Sequence, residues 1–214
     1  MMNSEYLLNL NENQKEAVSY IDGPLLIVAG AGSGKTRVLT SRIAHIIKNH
    51  KAFPDQILAV TFTNKAAKEM QIRVSKFLKK EATGLPWLGT FHSISAKILR
   101  KHADAVGLKS NFSIIDQDDQ IRLIKNICKA ENIDIKKISP KYILAVIDKW
   151  KNKGFYPDEV ILKKKEVLEK NFLKIYKIYQ QKLIDLNAAD FSDLILHSLK
   201  IFEKYRDISK LYSK

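Results

Sequence analysis

With 214 residues, 45% of them hydrophobic, the chain can bury the core of one large domain or two small ones. Its longest apolar runs, Leu25 to Ala31 and Ile57 to Phe62, fall far short of the roughly 20 residues that cross a bilayer. The N-terminal residues lack the basic start and apolar stretch of a secretory signal, so neither membrane insertion nor export is expected, and a cytoplasmic protein is. Lys and Arg number 37 against 23 Asp and Glu, a formal charge of +14 with a pI near 9.7. Residues 120–182 alone hold 16 Lys/Arg against 7 Asp/Glu. Such an excess favours a polyanionic partner, although a solvated lysine-rich surface has the same composition.

The first hundred residues alternate strand and helix signals. Leu25 to Ala29, entered by Gly23-Pro24 and left by glycines, reads as a strand buried on both faces. Thr36 to Lys48 places Val38, Leu39, Ile43, Ile46 and Ile47 on an apolar helical stripe. Ile57 to Phe62 repeats the strand signal, and Thr63 is a suitable N-cap for a helix from Asn64 to about Lys79. Trp87 to Thr90 reads as a third strand, followed by a helix through Ile94, Ile98 and Leu99, and Phe112 to Asp116 as a further short strand. From about Gln117 to Asn187 the periodicity is helical, broken at Ser139-Pro140 and at Gly154 to Pro157. Asp190 to Phe202 then forms an amphipathic helix with Phe191, Leu194, Ile195, Leu199 and Phe202 apolar. Cys128, the single cysteine, sits among Ile124, Ile127 and Ala130 and reads as a small buried hydrophobe. Lys163-Lys164-Lys165 reads as a solvated helix face.

Between the first strand and the first long helix lies Ala29-Gly30-Ala31-Gly32-Ser33-Gly34-Lys35-Thr36. Small residues let backbone N–H groups curl around a β-phosphate, and the helix N-terminus adds positive potential. Lys35 can reach β- and γ-oxygens, and Thr36 can ligate Mg²⁺. The strict pattern opens with glycine, where this chain has Ala29. Gln14 lies 21 residues before Lys35. Its carboxamide offers the acceptor and donor that match N6 and N7 of adenine, but taken alone it carries no assignment. Phe62 and Thr63, where a strand meets a helix, suit either a core aromatic with a simple cap or an aromatic face beside an anion site for a single strand.

The segment Leu10-Asn11-Glu12-Asn13-Gln14 resembles the Q motif, and the run from Ala29 through Arg37 the nucleotide loop, of UvrD/Rep/PcrA-type superfamily 1 DNA helicases. Residues 59–70, from Ala59 to Met70, resemble motif Ia of that family, and Gly89-Thr90-Phe91-His92-Ser93 its TFHS motif. The segment Asn111 to Asp116 with Asp119-Gln120, and then Tyr179-Gln180-Gln181, resemble landmarks of its inserted 1B subdomain. Asp190-Phe191-Ser192-Asp193-Leu194 resembles its DFDDL segment, with Ser192 in place of an acid.

The resemblance implies ATP held with Mg²⁺ by Gln14, Ala29, Gly30, Ala31, Gly32, Ser33, Gly34, Lys35, Thr36 and Arg37. Gln14 would read adenine, Lys35 would stabilise the transferring phosphoryl group, and Thr36 would hold the metal. It assigns Thr61, Phe62, Thr63, Asn64, Thr90, Phe91 and His92 to DNA, with no acid–base role for His92. The fold it implies is α/β: a RecA-like P-loop parallel sheet with an inserted helical subdomain. Residues 1–110 would form the first part of domain 1A, 111–188 subdomain 1B, and 189–214 the return towards 1A. The implied activity is ATP-dependent 3′-to-5′ DNA unwinding in repair or replication, on single-stranded DNA and DNA junctions, with repair or replication proteins as further partners.

In the family an acidic Walker B pair follows the DFDDL segment, and none occurs after Tyr205. The chain is therefore expected to be the N-terminal portion of such a motor, inactive in hydrolysis by itself. Two other parents carry the same motifs: the helicase half of a RecB- or AddA-like helicase-nuclease, and a noncatalytic nucleic-acid-binding P-loop fragment.

Overall fold

The computed structural model describes residues 5–78, 84–133, 138–162 and 167–213; Lys163-Lys164-Lys165 lies outside them. The chain divides into two compact units, Met1–Ile94 and Ser95–Lys214. The architecture is mixed α/β, with helices predominating and two short parallel sheets among the described residues.

In the first unit, α1 (Glu12–Ser19) starts at a reciprocal capping box between Asn11 and Gln14, which satisfies backbone donors that a helix start leaves over. α2 (Lys35–Lys48) buries Val38, Ile43, Ala44 and Ile47, whereas Leu39, read as part of the same stripe, is exposed. β1 (Ala59–Thr61) leads into α3 (Asn64–Leu78), and β2 (Leu88–Thr90) into α4 (Phe91–Lys101). The two strands are parallel, with Ala59 opposite Leu88 and Thr61 opposite Thr90. Since α3 lies between them in sequence, this is a strand–helix–strand unit, the connection that parallel pairing needs. Ile43, Ala44, Ile47, Met70, Val74 and Leu88 share its core.

One expected strand is not formed. Leu25 to Ala29 has no ladder partner among the described residues and is not assigned as a strand. Leu26 and Val28 are each 87% exposed, while Leu25 and Ile27 are about half as exposed. The alternation of an extended segment is present. What is lacking is a neighbouring strand, and a strand is a property of the pair.

In the second unit, β3 (Ser113–Ile114) and β4 (Ala188–Ala189) pair in parallel, with Ser113 opposite Ala188. Between them in sequence come α5 (Gln117–Ala130), α6 (Pro140–Lys151) and α7 (Val167–Asp185). Asp116 caps α5 by accepting the Asp119 N–H, and Ser139 caps α6 ahead of a first-turn proline, an arrangement suited to helix starts. Ile124, Ile127, Cys128, Ile143, Ile147, Ile175, Tyr176 and Tyr179 form the core, so Cys128 is buried as expected. The helical run closes on itself, because Asn187 Nδ2 donates to Asn111 Oδ1 at 3.1 Å and the Ser113 N–H donates to the Asn187 carbonyl at 3.0 Å.

The strand pair is followed by α8 (Phe191–Lys204) and α9 (Arg206–Tyr212). On α8 the buried face is not the stripe expected from its apolar residues. Phe191, Ile195 and Leu199 are exposed, and Asp193, Leu194, His197, Ser198 and Ile201 face inward. Asp193 and His197 on that inward face belong to a buried ionic cluster that fixes the helix's rotation, and the Ser198 hydroxyl donates to the Leu194 carbonyl.

Among the described residues no helix is long and apolar enough to cross a membrane.

Candidate functional site

The loop from Ala29 to Gly34 is exposed or partly so throughout. Gly32 and Gly34 have φ of +76° and +87°, values that disfavour a side chain. Two of the loop's glycines are therefore required by its own backbone. Gly34 is the N-cap of α2 and supplies no side-chain cap bond, so first-turn N–H groups of the helix are left for another acceptor. The Ser33 hydroxyl donates to the Gly30 carbonyl at 2.7 Å. Lys35 Nζ donates to the carbonyls of Ala29 at 2.7 Å and Gly30 at 2.6 Å, folding its charge over the loop. Thr36 is exposed one residue on.

Gln14 reaches the same place from α1: its Nε2 donates to the Ser33 carbonyl at 3.0 Å. Arg37 points elsewhere, donating to the Leu8 carbonyl at 2.9 Å. No three His, Cys, Asp or Glu side chains among the described residues are placed to hold a metal ion together. An exposed threonine next to the loop nevertheless suits Mg²⁺, which keeps several waters and binds through a few protein oxygens plus substrate phosphates.

The second group of residues lies at the carboxyl ends of β1 and β2. Because Thr61 stands opposite Thr90, the next residues, Phe62 and Phe91, emerge side by side, their ring centroids 5.7 Å apart and tilted by 49°. Phe62 is 92% exposed, which removes the core reading for this ring. The Thr61 hydroxyl donates to the Thr63 carbonyl at 3.0 Å, and Thr63 Oγ1 accepts the Ala66 N–H at 3.2 Å as the cap of α3. Thr90 is buried and caps α4: its Oγ1 accepts the Ser93 N–H at 3.2 Å while its own N–H donates to Ser93 Oγ at 2.9 Å. Asn64 and His92 are exposed at the starts of the two helices. The result is an aromatic ledge flanked by two helix N-termini, which combines a stacking surface with electropositive backbone ends.

In the second unit the Asp190–Asp193 segment builds a buried cluster that sequence reasoning did not assemble. Lys151 Nζ donates to Asp190 Oδ2 at 2.6 Å and to Asp193 Oδ1 at 2.7 Å, with all three side chains essentially inaccessible. Tyr179 donates to Asp190 and Gln180 to Asp193, and the two aspartates cap each other's backbone N–H groups. Ser192 donates to Asp148 Oδ1 at 3.0 Å; an acid in its place would set two carboxylates against each other. Burial pulls the Lys151 ammonium down, but the carboxylates of Asp193 and Asp190 more than offset this and hold it above its usual value. Burial pushes Asp193 up, yet Lys151, His197 and its hydrogen bonds hold it below the ordinary carboxylate range.

His197 completes the cluster, its Nδ1 2.6 Å from the Tyr156 hydroxyl and its Nε2 3.8 Å from Asp193. Burial, aided by the charge of Lys151, keeps the imidazole below its usual 6.5 against the pull of Asp193. The unfolded chain thus takes up a proton at His197 before the folded one does, so stability falls as pH drops below 6.5. His197→Asn should flatten the decline in thermal midpoint between about pH 7 and pH 5. Parallel curves for the two proteins would contradict the assignment.

Residues 10–214 match the UvrD/REP helicase N-terminal domain. The chain is 44% identical, over all of its length, to the probable DNA helicase II homolog of Rickettsia conorii. It is 44% identical over 95% of its length to the ATP-dependent DNA helicase PcrA of Staphylococcus epidermidis RP62A, and 42% identical over all of its length to that of Bacillus subtilis. It spans 33%, 28% and 29% of these three relatives. Order, spacing and identity agree along the whole chain, which belongs to the UvrD/REP helicase family and matches its N-terminal domain.

Proposed function

We propose that the chain is the nucleotide- and single-strand-binding part of an ATP-dependent 3′-to-5′ DNA helicase, acting in the cytoplasm on single strands and junctions that arise in repair or replication. The observation that carries the reading is Phe62: an almost fully exposed ring beside Phe91, at the carboxyl ends of paired parallel strands. Open α/β sheets bind their ligands at such ends. A nucleotide loop alone would fit many ATPases, and the ledge adds a surface for bases.

In this reading residues 1–110 belong to a RecA-like domain. Residues 111–188 are an inserted helical subdomain, and 189–214 return to the first domain. The parallel pairing of β3 with β4 supports those limits, since the helices between them leave and rejoin at adjacent strands. Gln14 reads adenine, the backbone from Ala29 to Gly34 and the start of α2 cradle the phosphates, and Lys35 exchanges its loop carbonyls for phosphate oxygens. Thr36 would hold Mg²⁺, which would supply neutralising charge for the triphosphate.

Anisotropy of a labelled oligothymidylate tests the DNA half. Phe62→Ala should weaken binding by about 1–3 kcal/mol, the worth of one stacked base. The slope of log affinity against log salt should stay as in the wild type, because no phosphate contact is removed. The ring is exposed, so the fold should be unaffected. Normal binding by Phe62→Ala would remove the ledge from the DNA path.

A further inference from the structure

The Gln14 carboxamide is held between two backbones. Asn11 Oδ1 accepts the Gln14 N–H at 2.9 Å, and Gln14 Oε1 accepts the Asn11 N–H at 3.0 Å. The Nε2 of the same side chain donates to the Ser33 carbonyl at 3.0 Å, across 19 positions of sequence. These neighbours fix which end of the amide is oxygen, since one is a donor and the other an acceptor. The approach is also close: a Cβ on Gly34 would stand 3.0 Å from Gln14 Nε2. Gln14 therefore grips the loop at the joint where it turns into α2, next to Lys35 and Thr36.

We propose that Gln14 is a positioning residue for the phosphate loop, in addition to its reading of the base; this rests on the nucleotide-site reading above. A carboxamide oxygen has two lone pairs and its nitrogen two hydrogens. Here one of each is committed to Asn11 and Ser33, leaving one acceptor and one donor for the adenine edge. The two tasks are compatible in one side chain, and base recognition is thereby tied to loop shape. The loop needs the tie, because a Cβ added at Gly30 or Gly32 would meet nothing within 4 Å. The Ser33 and Lys35 hydrogen bonds run to carbonyls of the loop itself, so without the Gln14 tie more of the loop's ordering falls to whatever polyphosphate binds, at the expense of affinity.

Tripolyphosphate has no base and so separates the two roles. Calorimetric titrations of Mg–tripolyphosphate and Mg–ATP into wild type, Gln14→Met and Asn11→Ala decide between them. Gln14→Met keeps the length of the side chain and removes both of its hydrogen bonds. Asn11→Ala weakens the start of α1 but leaves the Gln14–Ser33 contact. The expected result is a loss of about three- to tenfold in tripolyphosphate affinity for Gln14→Met, the worth of one net hydrogen bond, with a larger loss for ATP. Asn11→Ala should stay within about twofold of wild type. Unchanged tripolyphosphate affinity in Gln14→Met alongside weaker ATP binding makes Gln14 a base reader alone and overturns the proposal. An equal loss in Asn11→Ala assigns the effect to α1 and overturns it too. Failure of the wild type to bind either ligand overturns the nucleotide site itself, a result visible without any variant.

Discussion

Lys151→Met should destabilise the second unit by about 3–5 kcal/mol at neutral pH, the cost of removing one partner from a buried ion cluster. Methionine keeps an apolar side chain of similar length and removes the ammonium, which stands 5.7 and 5.0 Å from the ring centroids of Tyr176 and Tyr179. The substitution therefore isolates the charge from the packing. Asp190 and Asp193 would be left in a site with no access to water, and burial together with Asp193 already pushes Asp190 above the ordinary carboxylate range. Without the ammonium, one of the pair should take up a proton in the folded state more readily than in the unfolded chain. Stability conferred by that proton grows as pH falls, so the deficit of the variant should narrow between about pH 7 and pH 4. Urea unfolding at both ends of that range measures it. A deficit under about 1 kcal/mol at pH 7 would mean that the cluster is no more than a surface-type pair.

That cluster marks where sequence reading stopped short. Lys151 falls in the basic window of residues 120–182, and composition alone does not separate it from the other cations there. Its position carried a different signal: Ile143, Ile147 and Lys151 recur every four residues, and all three are buried on α6. A lysine on a core period needs a buried acid, and Asp190 and Asp193 were already in view as a motif. On α8 the error ran the other way, because the apolar residues Phe191, Ile195 and Leu199 suggested a buried stripe while the ion cluster turned Asp193 and His197 inward. Hydrophobic periodicity is a weak guide where a few kcal/mol of buried electrostatics sets a helix's rotation.

The elements around the candidate site were more legible. β1, β2, α2 and α3 lie where β-branched runs, caps and 3.6-residue periodicity place them. Thr63 caps α3 as its residue type suggests. β4 was not legible, since Ala188-Ala189 has no strand character of its own and is extended through its pairing with Ser113 and Ile114. Leu25 to Ala29 shows the converse, strand composition with no neighbour to pair with among the described residues. Within the candidate site, the family resemblance singles out Gln14 and the loop pattern stands out in the sequence, but the bond between them does not, since it depends on how α1 meets α2 in space.

Lys35→Ala should lower affinity for Mg–ATP by about 2 kcal/mol or more, at least about thirtyfold, the range for deleting a cation paired with a polyanion in a hydrogen-bonded site. The low end applies because the loop is exposed and water screens the pair. Among the described residues Lys35 donates to the carbonyls of Ala29 and Gly30, and it lies outside the hydrophobic core, so the thermal midpoint should hardly change. In the proposed function that side chain meets the phosphates of the nucleotide, so nucleotide binding at Lys35 is a claim on which the proposal stands. The decisive measurement is a titration of a fluorescent ATP analogue with Mg²⁺ into the wild type and Lys35→Ala, each checked for equal folding by circular dichroism. Saturable binding at one site is expected for the wild type, with a curve displaced by at least about thirtyfold for the variant. Equal affinities would contradict the proposal.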